Sequence, residues 1–413
     1  MIRRLFKRLL HRLLLVPIKL LLNFVPSARR NAPVRRSLWA GTPIITLAYK
    51  ARAERVLSVQ ADSLVLHSYF LTDEFDYNLS RWMRIPLLGR FLPYGVFVWA
   101  CLRYQRFHFF YDQGLLPSLQ QHQFNPDELA MLNGLGKELF FWSYGADVRT
   151  QETTRALGDF NCCTDCPLPG RYCVCDEKTA ALNFERIRRA ATALFSMGDM
   201  IEYTPGSRND LFFWPLDLQA DKGRKFAPRY PDAVSTAPVR IIHAPNHRHF
   251  KGTRHLLEAV ERIRQDGIKL DLQLVENVPN SEALEIYRSA DLIFDQCLIG
   301  FHGYFAIEAM AMGKPVIAYI RKPQQYLLWP EECPLINAPA DRLETVLREL
   351  IVDRARLHRL GTAGRRYVER HYTLEAFADR LQRAYKERRV TCVRNAPSSV
   401  QPGSSDQHWP ASS

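Results

Sequence analysis

The chain has 413 residues, of which 47% are apolar and 24% charged, a balance typical of globular proteins and not of disordered chains or coiled coils. Its length predicts two domains, each large enough to bury its own core. The net charge of +13 suggests nucleic-acid binding, but residues 1–36 hold ten of the Lys and Arg residues and no Asp or Glu. The rest of the chain is close to neutral, so we expect no nucleic-acid partner.

Cysteine usage indicates the cellular compartment. The chain has nine cysteines, and five of them lie within fourteen positions. A secreted disulfide scaffold is short and rich in cysteine throughout, which this chain is not. We therefore expect a reducing, cytoplasmic compartment.

Residues 1–36 are predicted to form a basic amphipathic segment. On a helical wheel the cations fill one half and most apolar side chains the other, although Leu14, Leu15 and Ile18 fall on the basic side. This pattern is typical of a helix that lies in a bilayer interface, where each cation contributes roughly 1 kcal/mol near anionic lipids. Polar residues interrupt every window long enough to span a membrane. We expect peripheral association with the inner face of the cell membrane. Docking of the helix on the protein's own core, and insertion or export, are the alternatives.

Residues 37–216 are predicted to form an N-terminal Rossmann-like domain, and the charged, Pro- and Ala-containing residues 217–238 a linker. Apolar runs predict strands at Thr42–Leu47, Ser63–Leu71, Arg106–Tyr111 and Glu138–Ser143, and a helix at Leu87–Leu102.

Residues 239–372 are predicted to form a second domain, because strands and helices alternate there with short loops. Strands are expected at Val239–Pro245, Leu270–Val275, Asp291–Asp295 and Val316–Ile320, and helices at Thr253–Gln265, Ser281–Ala290 and Tyr304–Met312. Residues 373–392 are expected to form a helix that packs back on the first domain, and residues 393–413 a disordered tail. The predicted fold class is α/β, with two Rossmann-like domains facing across a cleft and an N-terminal amphipathic helix.

Polar side chains follow two strands of the second domain, at the edge where open parallel sheets bind ligands. The loop after the first strand carries Arg248 and Lys251 just before a helix, and two cations beside backbone N–H groups suit a diphosphate. After the third strand, Gly303 allows the backbone to approach a ligand closely. Glu308 lies about one turn into the next helix, where its carboxylate can accept hydrogen bonds from a ribose. Together these residues predict a sugar-nucleotide site.

A longer set of short motifs lies between residues 239 and 320. It comprises His243-Ala244-Pro245, Lys251-Gly252-Thr253, Tyr287 to Asp291, Asp295-Gln296, Gly300 to Tyr304, and Glu308 to Ile317. This stretch resembles the donor-binding domain of retaining, family-4-type glycosyltransferases of the GT-B fold. The resemblance implies transfer of a sugar from a nucleotide donor, with Lys251 or Arg248 on the diphosphate and Glu308 on the ribose. It also implies a donor site that is lined by Asn246, Asp295, Gln296, Gly303 and Tyr304.

The chain departs from that family at two positions. The family pattern places a glutamate that holds the donor sugar at position 300, where this chain has Gly300. Asp295 or Gln296 is expected to take over that role. The family's arginine lies five residues before the lysine, which is Asn246 in this chain, and Arg248 is offset from it.

Two stretches of the first domain, Phe107–Tyr111 and Tyr144–Arg149, resemble the loops that line the other side of the cleft in this family. We expect Asp147, in the second stretch, to be catalytic together with Lys251 and Arg248. The chemistry then depends on fixed positive charge that stabilises the departing nucleoside diphosphate. The chain contains no Asp-x-Asp motif, and no cofactor is expected for catalysis.

The clustered cysteines include a Cys-x2-Cys pair, Cys163 and Cys166, followed by Cys173 and Cys175. Four thiolates suit a closed structural zinc site. An iron–sulfur cluster, a disulfide, or free thiols in a loop are the alternatives.

These features predict a hexosyl- or related glycosyltransferase that acts with retention of configuration on a membrane-linked glycan or glycolipid, in cell-surface polysaccharide synthesis. The expected partners are a nucleotide-sugar donor, that acceptor, and a membrane surface bound through residues 1–36. The alternatives are a sugar-nucleotide epimerase or hydrolase of the same fold, and a non-catalytic membrane-bound protein that binds nucleotides or glycans.

Overall fold

The computed structural model of the protein describes residues 2–25, 36–68, 74–118, 120–210 and 214–387, with side chains of the N-terminal helix from His11 onward. The predicted tail at residues 393–413 lies outside these residues, as does the predicted C-terminal helix beyond Glu387. Two parallel sheets organise the described chain. This arrangement confirms the predicted fold class.

The first sheet belongs to the N-terminal half and has six parallel strands. They are β1 (Arg36–Ala40), β2 (Gln60–Val65), β3 (Tyr77–Asn78), β4 (Arg106–Phe110), β5 (Glu138–Trp142) and β6 (Ala193–Phe195), in the order β3-β2-β1-β4-β5-β6. The helices of this half are α1 (Ile2–Phe24), α2 (Ile45–Val56), α3 (Ser80–Met83), α4 (Pro86–Arg103), α5 (Pro126–Gly134), α6 (Gln151–Ala156) and α7 (Glu177–Ala190). Strands β1, β4 and β5 are buried almost throughout, as expected for parallel strands covered by helices.

The second sheet belongs to the C-terminal half and has four parallel strands. They are β7 (Val239–His243), β8 (Leu270–Leu274), β9 (Leu292–Gln296) and β10 (Val316–Ala318), in the order β10-β9-β7-β8. The helices are α8 (Arg248–Lys251), α9 (Thr253–Gln265), α10 (Asn280–Arg288), α11 (Tyr304–Ala311), α12 (Pro323–Tyr326), α13 (Leu343–Ile351), α14 (Arg354–His371) and α15 (Leu374–Glu387).

The predicted strand Thr42–Leu47 is wrong. The first strand is β1, and the chain then turns at Gly41, whose φ of +113° favours glycine, before α2 begins at Ile45. An added Cβ at Gly41 would lie 2.4 Å from the Gln113 carbonyl oxygen, so the turn also depends on a close approach of two backbone segments. The last residue of the predicted basic segment, Arg36, is the first residue of β1.

Helix α1 packs on the first domain through a narrow face. His11 is buried and bonds to the Tyr94 hydroxyl (2.9 Å) and to Asp127 (3.2 Å), and Leu15 and Leu22 are buried on the same side. Leu15, one of the apolar residues on the basic side of the helical wheel, is thus buried against the protein itself. The opposite face is exposed, with apolar side chains at Leu13, Val16, Leu20, Leu21 and Phe24. Among the described residues, no helix combines the length and apolar character that a membrane crossing requires.

The last helix, α15, crosses from the second domain to the first and packs against α2. Its Tyr385 hydroxyl donates to the Glu54 carboxylate (2.8 Å) and lies 3.0 Å from His108 Nε2. Glu54 also accepts bonds from Trp39 and from Arg106. The side chains of Glu54, Trp39, Arg106 and His108 are buried, and that of Tyr385 is half-buried. This polar network joins α15 to the centre of the first sheet.

Candidate functional site

The carboxyl ends of β7 and β9 bring three of the predicted residues together. Lys251 Nζ donates to Asp295 Oδ1 at 2.5 Å, and the Gly303 backbone N–H donates to Asp295 Oδ2 at 2.5 Å. The Asp295 side chain is fully buried, whereas that of Lys251 retains 14% exposure. A Cβ added at Gly303 would lie 2.9 Å from the Lys251 ammonium, so any other residue there would require the lysine side chain to shift. One carboxylate therefore holds an ammonium and a backbone N–H side by side.

The loop that carries Lys251 is itself shaped by a glycine. Gly252 has a φ of +73°, and an added Cβ there would lie 2.4 Å from the Cys297 sulfur. Behind it, His243 bonds to the Thr253 hydroxyl (2.8 Å) and to the Phe294 carbonyl, and burial lowers its pKa to about 4. A neutral His243 thus fixes the start of α9 to the sheet.

Glu308 lies in α11, which begins directly after Gly303. The side chain is buried and accepts a bond from the Asn280 amide at 3.3 Å. Burial raises its pKa to about 7, while Asn280 and the charge of Lys225 lower it. Lys225 comes from the predicted linker and bonds to the Tyr49 hydroxyl (2.8 Å) and to Glu74 (2.7 Å) of the first domain. Sequence reasoning missed Lys225, since nothing in a charged linker signals a contact with a distant helix.

Two other predicted donor-site residues hold the surrounding loops. The Gln296 amide donates to the carbonyls of Phe301 (3.2 Å) and Tyr319 (2.7 Å) and accepts from the Ile299 N–H, and the side chain is fully buried. The Tyr304 hydroxyl donates to the Pro215 carbonyl at 3.3 Å. Both side chains therefore hold the loops of the site through bonds within the protein, and their expected contact with a donor stays a prediction.

Arg248 and Asn246 lie outside the Lys251 cluster. Arg248 forms two bonds with Glu276 (2.9 and 2.6 Å) and its side chain is 57% exposed. Asn246 is exposed on the same loop. The two cations that the sequence placed on one diphosphate thus bond to different carboxylates, Arg248 to Glu276 and Lys251 to Asp295.

Position 300, where the family pattern expects a glutamate, has a backbone that favours glycine. Gly300 has a φ of +93°, and an added Cβ would lie 2.4 Å from Arg321 Nη1. The Arg321 guanidinium in turn donates to the Phe160 carbonyl of the first domain at 3.4 Å. A guanidinium therefore occupies the space that a side chain at position 300 needs.

On the first domain, Asp147 stabilises a loop. Its carboxylate accepts the backbone N–H groups of Tyr144 and Gly145 (both 2.9 Å) and of Tyr111 (3.2 Å), and it is 2% exposed. Burial, followed by the neighbouring Asp112 carboxylate, raises the pKa of Asp147. Asp147 therefore holds the loop around Tyr144 and Gly145 in place, and its expected catalytic role stays a prediction.

His108 is equally occupied. It stacks on Trp39 with ring centroids 3.6 Å apart and accepts a bond from the Trp142 indole at 3.1 Å. Burial lowers its pKa well below the usual range, so the ring is neutral. Its other nitrogen contacts the Tyr385 hydroxyl of α15 at 3.0 Å.

The cysteine segment, residues 158–176, bridges the two domains. Its Cys162 carbonyl accepts a bond from His249 at 2.9 Å, and the Tyr172 ring lies 4.1 Å from that of His247. Cys163, Cys166, Cys173 and Cys175 are all free thiols. Within the part of the chain that the structure describes, no three or more His, Cys, Asp or Glu side chains are grouped so that they could hold a metal ion. The structure thus does not bring the four thiols into one ligand set.

The fold has counterparts among solved structures. No family model matches the chain, and a search of curated proteins found no match. Sucrose-phosphate synthase from Thermosynechococcus elongatus is 14% identical, with a TM-score of 0.53 over 86% of this chain and 98% of that one. HepE from Anabaena, solved with UDP-glucose, is 11% identical with a TM-score of 0.53 over 85% and 99%. An α-glucosyltransferase solved with UDP and a 13-mer DNA is 10% identical with a TM-score of 0.52 over 85% and 98%. The chain has the GT-B fold of these enzymes: two Rossmann-like domains.

Proposed function

We propose that the protein is a glycosyltransferase that uses a nucleotide-sugar donor. The observation that carries this proposal is the convergence of Lys251, Asp295 and Gly303 at the carboxyl edge of the second sheet. An ammonium beside a backbone N–H at the start of a helix suits the oxygens of a diphosphate. The GT-B fold, in which a donor site at this edge faces a second Rossmann-like domain, supports the same assignment.

The Lys251 ammonium would act on the leaving group. An ammonium has three N–H donors, and the bond to Asp295 uses one of them. The others can bond to the diphosphate and stabilise the negative charge that builds up on it as the bond between the donor's anomeric carbon and the diphosphate oxygen breaks. Asp295 acts here as a positioning residue, because both of its oxygens already hold the groups that contact the donor.

Glu308 would accept hydrogen bonds from the hydroxyls of the ribose. It lies one turn behind Gly303, on the same helix and at the same edge of the sheet. Gln296 and Tyr304 support the loops around Glu308. Arg248 would bond to the diphosphate only after it leaves Glu276. Retention of configuration and membership of the family-4 type are part of the proposal, and they rest on the resemblance of residues 239–320.

The acceptor side of the proposal rests on location. The exposed apolar face of α1 suits a membrane surface, and an acceptor held there, such as a polyprenyl-linked glycan or a glycolipid, would be within reach of the cleft. We therefore propose a cytoplasmic enzyme of cell-surface polysaccharide synthesis that associates peripherally with the inner face of the membrane.

A structural zinc in the cysteine segment is a separate proposal, since it requires the four thiols to move closer together than they are here. Elemental analysis of the purified protein, beside a variant with Cys163→Ser and Cys166→Ser, tests it. One equivalent of zinc that the variant loses supports the site, and a metal-free protein of full stability argues against it.

The test of the function is an assay of nucleoside diphosphate release against a panel of nucleotide sugars, with and without a detergent-solubilised polyprenyl-linked glycan. A glycosyltransferase releases the diphosphate when both substrates are present. Donor turnover without any acceptor would identify an epimerase or hydrolase. Donor binding without turnover under every condition would identify a binding protein, the alternative that Gly300 favours.

A further inference from the structure

A second exposed apolar surface lies at the start of α4. It comprises residues 81–91, which we call the α4 tip, and includes most of α3 and the first turns of α4. Its large apolar side chains are exposed at Trp82, Ile85, Leu87, Leu88 and Phe91, with Leu87 70% exposed. Single exposed apolar residues are common on protein surfaces, but five within eleven positions form a patch that requires an explanation.

The tip is a built structure and not a frayed helix end. Gly89 donates its N–H to the Ile85 carbonyl at 2.7 Å, and an added Cβ at Gly89 would lie 2.2 Å from the Met83 carbonyl oxygen. The short helix α3 therefore packs closely against the first turn of α4. Beyond the tip, α4 is part of the core through Tyr94, Phe97 and other buried residues. The helix is thus anchored at one end and projects its apolar side chains at the other.

The stretch of sequence around the tip carries charge of one sign. Residues 77–111 contain five Arg and no Asp or Glu. Arg81, Arg84 and Arg90 are exposed on the tip itself. Exposed apolar side chains interspersed with cations match the chemistry of an anionic bilayer surface, where arginines bond to headgroup phosphates and a tryptophan lies at the interface.

The tip adjoins the exposed face of α1. The bond between His11 and Tyr94 joins the two helices, and Tyr94 is three residues from Phe91 on α4. On α1, Leu13 and Val16 lie within a turn and a half of His11 and are 63% and 62% exposed. Arg12 and Lys19 are exposed beside them. Two neighbouring elements therefore present apolar side chains flanked by cations.

We propose that the α4 tip is a second membrane-docking element, which binds bilayers with anionic headgroups together with α1. The tip inserts its apolar side chains at the interface, and its arginines contact the headgroups. This inference does not depend on the sugar-transfer reaction, because it concerns a surface outside the Lys251 cluster. A docked tip together with α1 would fix the orientation of the first domain on the membrane, which a single helix does not.

The test is co-sedimentation of the full-length protein with vesicles of phosphatidylcholine alone or of phosphatidylcholine with phosphatidylglycerol. The tip variant carries Leu87→Ser and Phe91→Ser and keeps α1 intact. A matched control carries Val234→Ser in the linker and Val352→Ser in the second domain, two exposed apolar side chains away from the tip. We expect the tip variant to lose roughly tenfold or more of its partitioning to anionic vesicles, while the control stays within about twofold of the wild type. Partitioning of the tip variant equal to that of the wild type would overturn the proposal.

Trp82 supplies a second measurement, because it is exposed on the tip. Brominated lipids quench tryptophan fluorescence only at short range, so the quenching that disappears in Trp82→Phe reports insertion of the tip. Equal quenching in both proteins contradicts insertion. Sedimentation velocity without lipid tests the other occupant, a second copy of the chain. A dimer that the tip substitutions dissociate would replace the membrane assignment.

Discussion

The carboxyl edges of the two sheets hold similar polar groups and use them differently. In the second domain, Lys251 has one bond to Asp295 and its ammonium is partly exposed. In the first domain, Asp147 accepts hydrogen bonds from three backbone N–H groups. The Lys50 ammonium is buried there over the rings of Phe110 (4.9 Å) and Trp142 (5.1 Å). Polar groups at one edge keep capacity for a ligand, whereas those at the other hold the protein together.

The difference shows how to assign a role to a polar residue at a sheet edge. The type of the residue and its position at the sheet edge do not distinguish a side chain that binds a ligand from one that only holds the fold. What distinguishes them is how many of the group's donors and acceptors the protein already uses. The following substitutions test this distinction, in order of decreasing effect.

Lys251→Ala should cause the largest loss of activity. Removal of a charge-assisted hydrogen bond costs about 1.5–3 kcal/mol, so donor binding or turnover should fall roughly 10- to 150-fold. Release of nucleoside diphosphate measures the effect, with the exposed Lys269→Ala as the control.

Lys251→Ala also leaves the buried Asp295 without its cation, so the double variant with Asp295→Asn separates the two effects. Activity should stay low in the double variant if Lys251 acts on the donor. Recovery of activity there would reduce Lys251 to a counter-ion of Asp295.

Asp147→Asn should lower stability while catalysis per folded molecule is maintained. In the wild type, the Tyr111 backbone N–H donates to the Asp147 carboxylate. In the variant it would face the N–H group of the asparagine amide, and a buried donor left without an acceptor costs about 1–3 kcal/mol. Thermal melting measures this loss, and the exposed Asp159→Asn is the control. A kcat that collapses while the melting temperature is unchanged would restore the catalytic role.

Glu308→Gln should remove a pH dependence near neutrality. Burial raises the pKa of Glu308 to about 7, and only the ionised carboxylate accepts hydrogen bonds with both oxygens. Donor affinity of the wild type should therefore increase, up to roughly tenfold, as the pH rises through about 7.

The stability of the donor-free protein should change in the opposite direction. The folded state binds the Glu308 proton more tightly than the unfolded state, in which the pKa is about 4.5. The contribution is fully present below about 4.5 and is lost as the pH rises to about 7. Titrations of donor affinity and of melting temperature that coincide for the wild type and Glu308→Gln would exclude Glu308 as their origin.

Arg248→Ala should have the smallest effect. The side chain is largely exposed and bonded to Glu276, and exposed pairs contribute little. Donor affinity measured by calorimetry should stay within about threefold of the wild type. A loss as large as that of Lys251→Ala would show that Arg248 leaves Glu276 to reach the donor.

Sequence patterns predicted the second domain well and the first less well. Strand β7 and helix α9 lie where Val239–Pro245 and Thr253–Gln265 were expected, because apolar runs there are bounded by glycine and proline. In the first domain, β3 and β6 have two and three residues, too few for a periodic signal. The strand expected at Thr42–Leu47 was placed too late in the chain, because the apolar residues at the start of α2 follow those of β1 after only a short turn.

The candidate site divides in the same way. Lys251, Gly303 and Glu308 were placed at one edge from the sequence, since parallel strands joined by helices bring their following loops together. The roles of Gln296, Tyr304 and Arg248 were not predictable, because each depends on a carbonyl or carboxylate that is distant along the chain.

The amino-acid order alone therefore determined the α/β architecture and the sheet edge at which Lys251, Gly303 and Glu308 lie, since both follow from local periodicity and from glycines between strand and helix. Tertiary structure decided which polar atoms at that edge stay available. Hydrogen bonds across long stretches of chain occupy Asp147 and His108 and leave the Lys251 ammonium with donors to offer. The same contacts between distant segments turned part of an apparently simple amphipathic helix, α1, toward the core and left its other face to solvent.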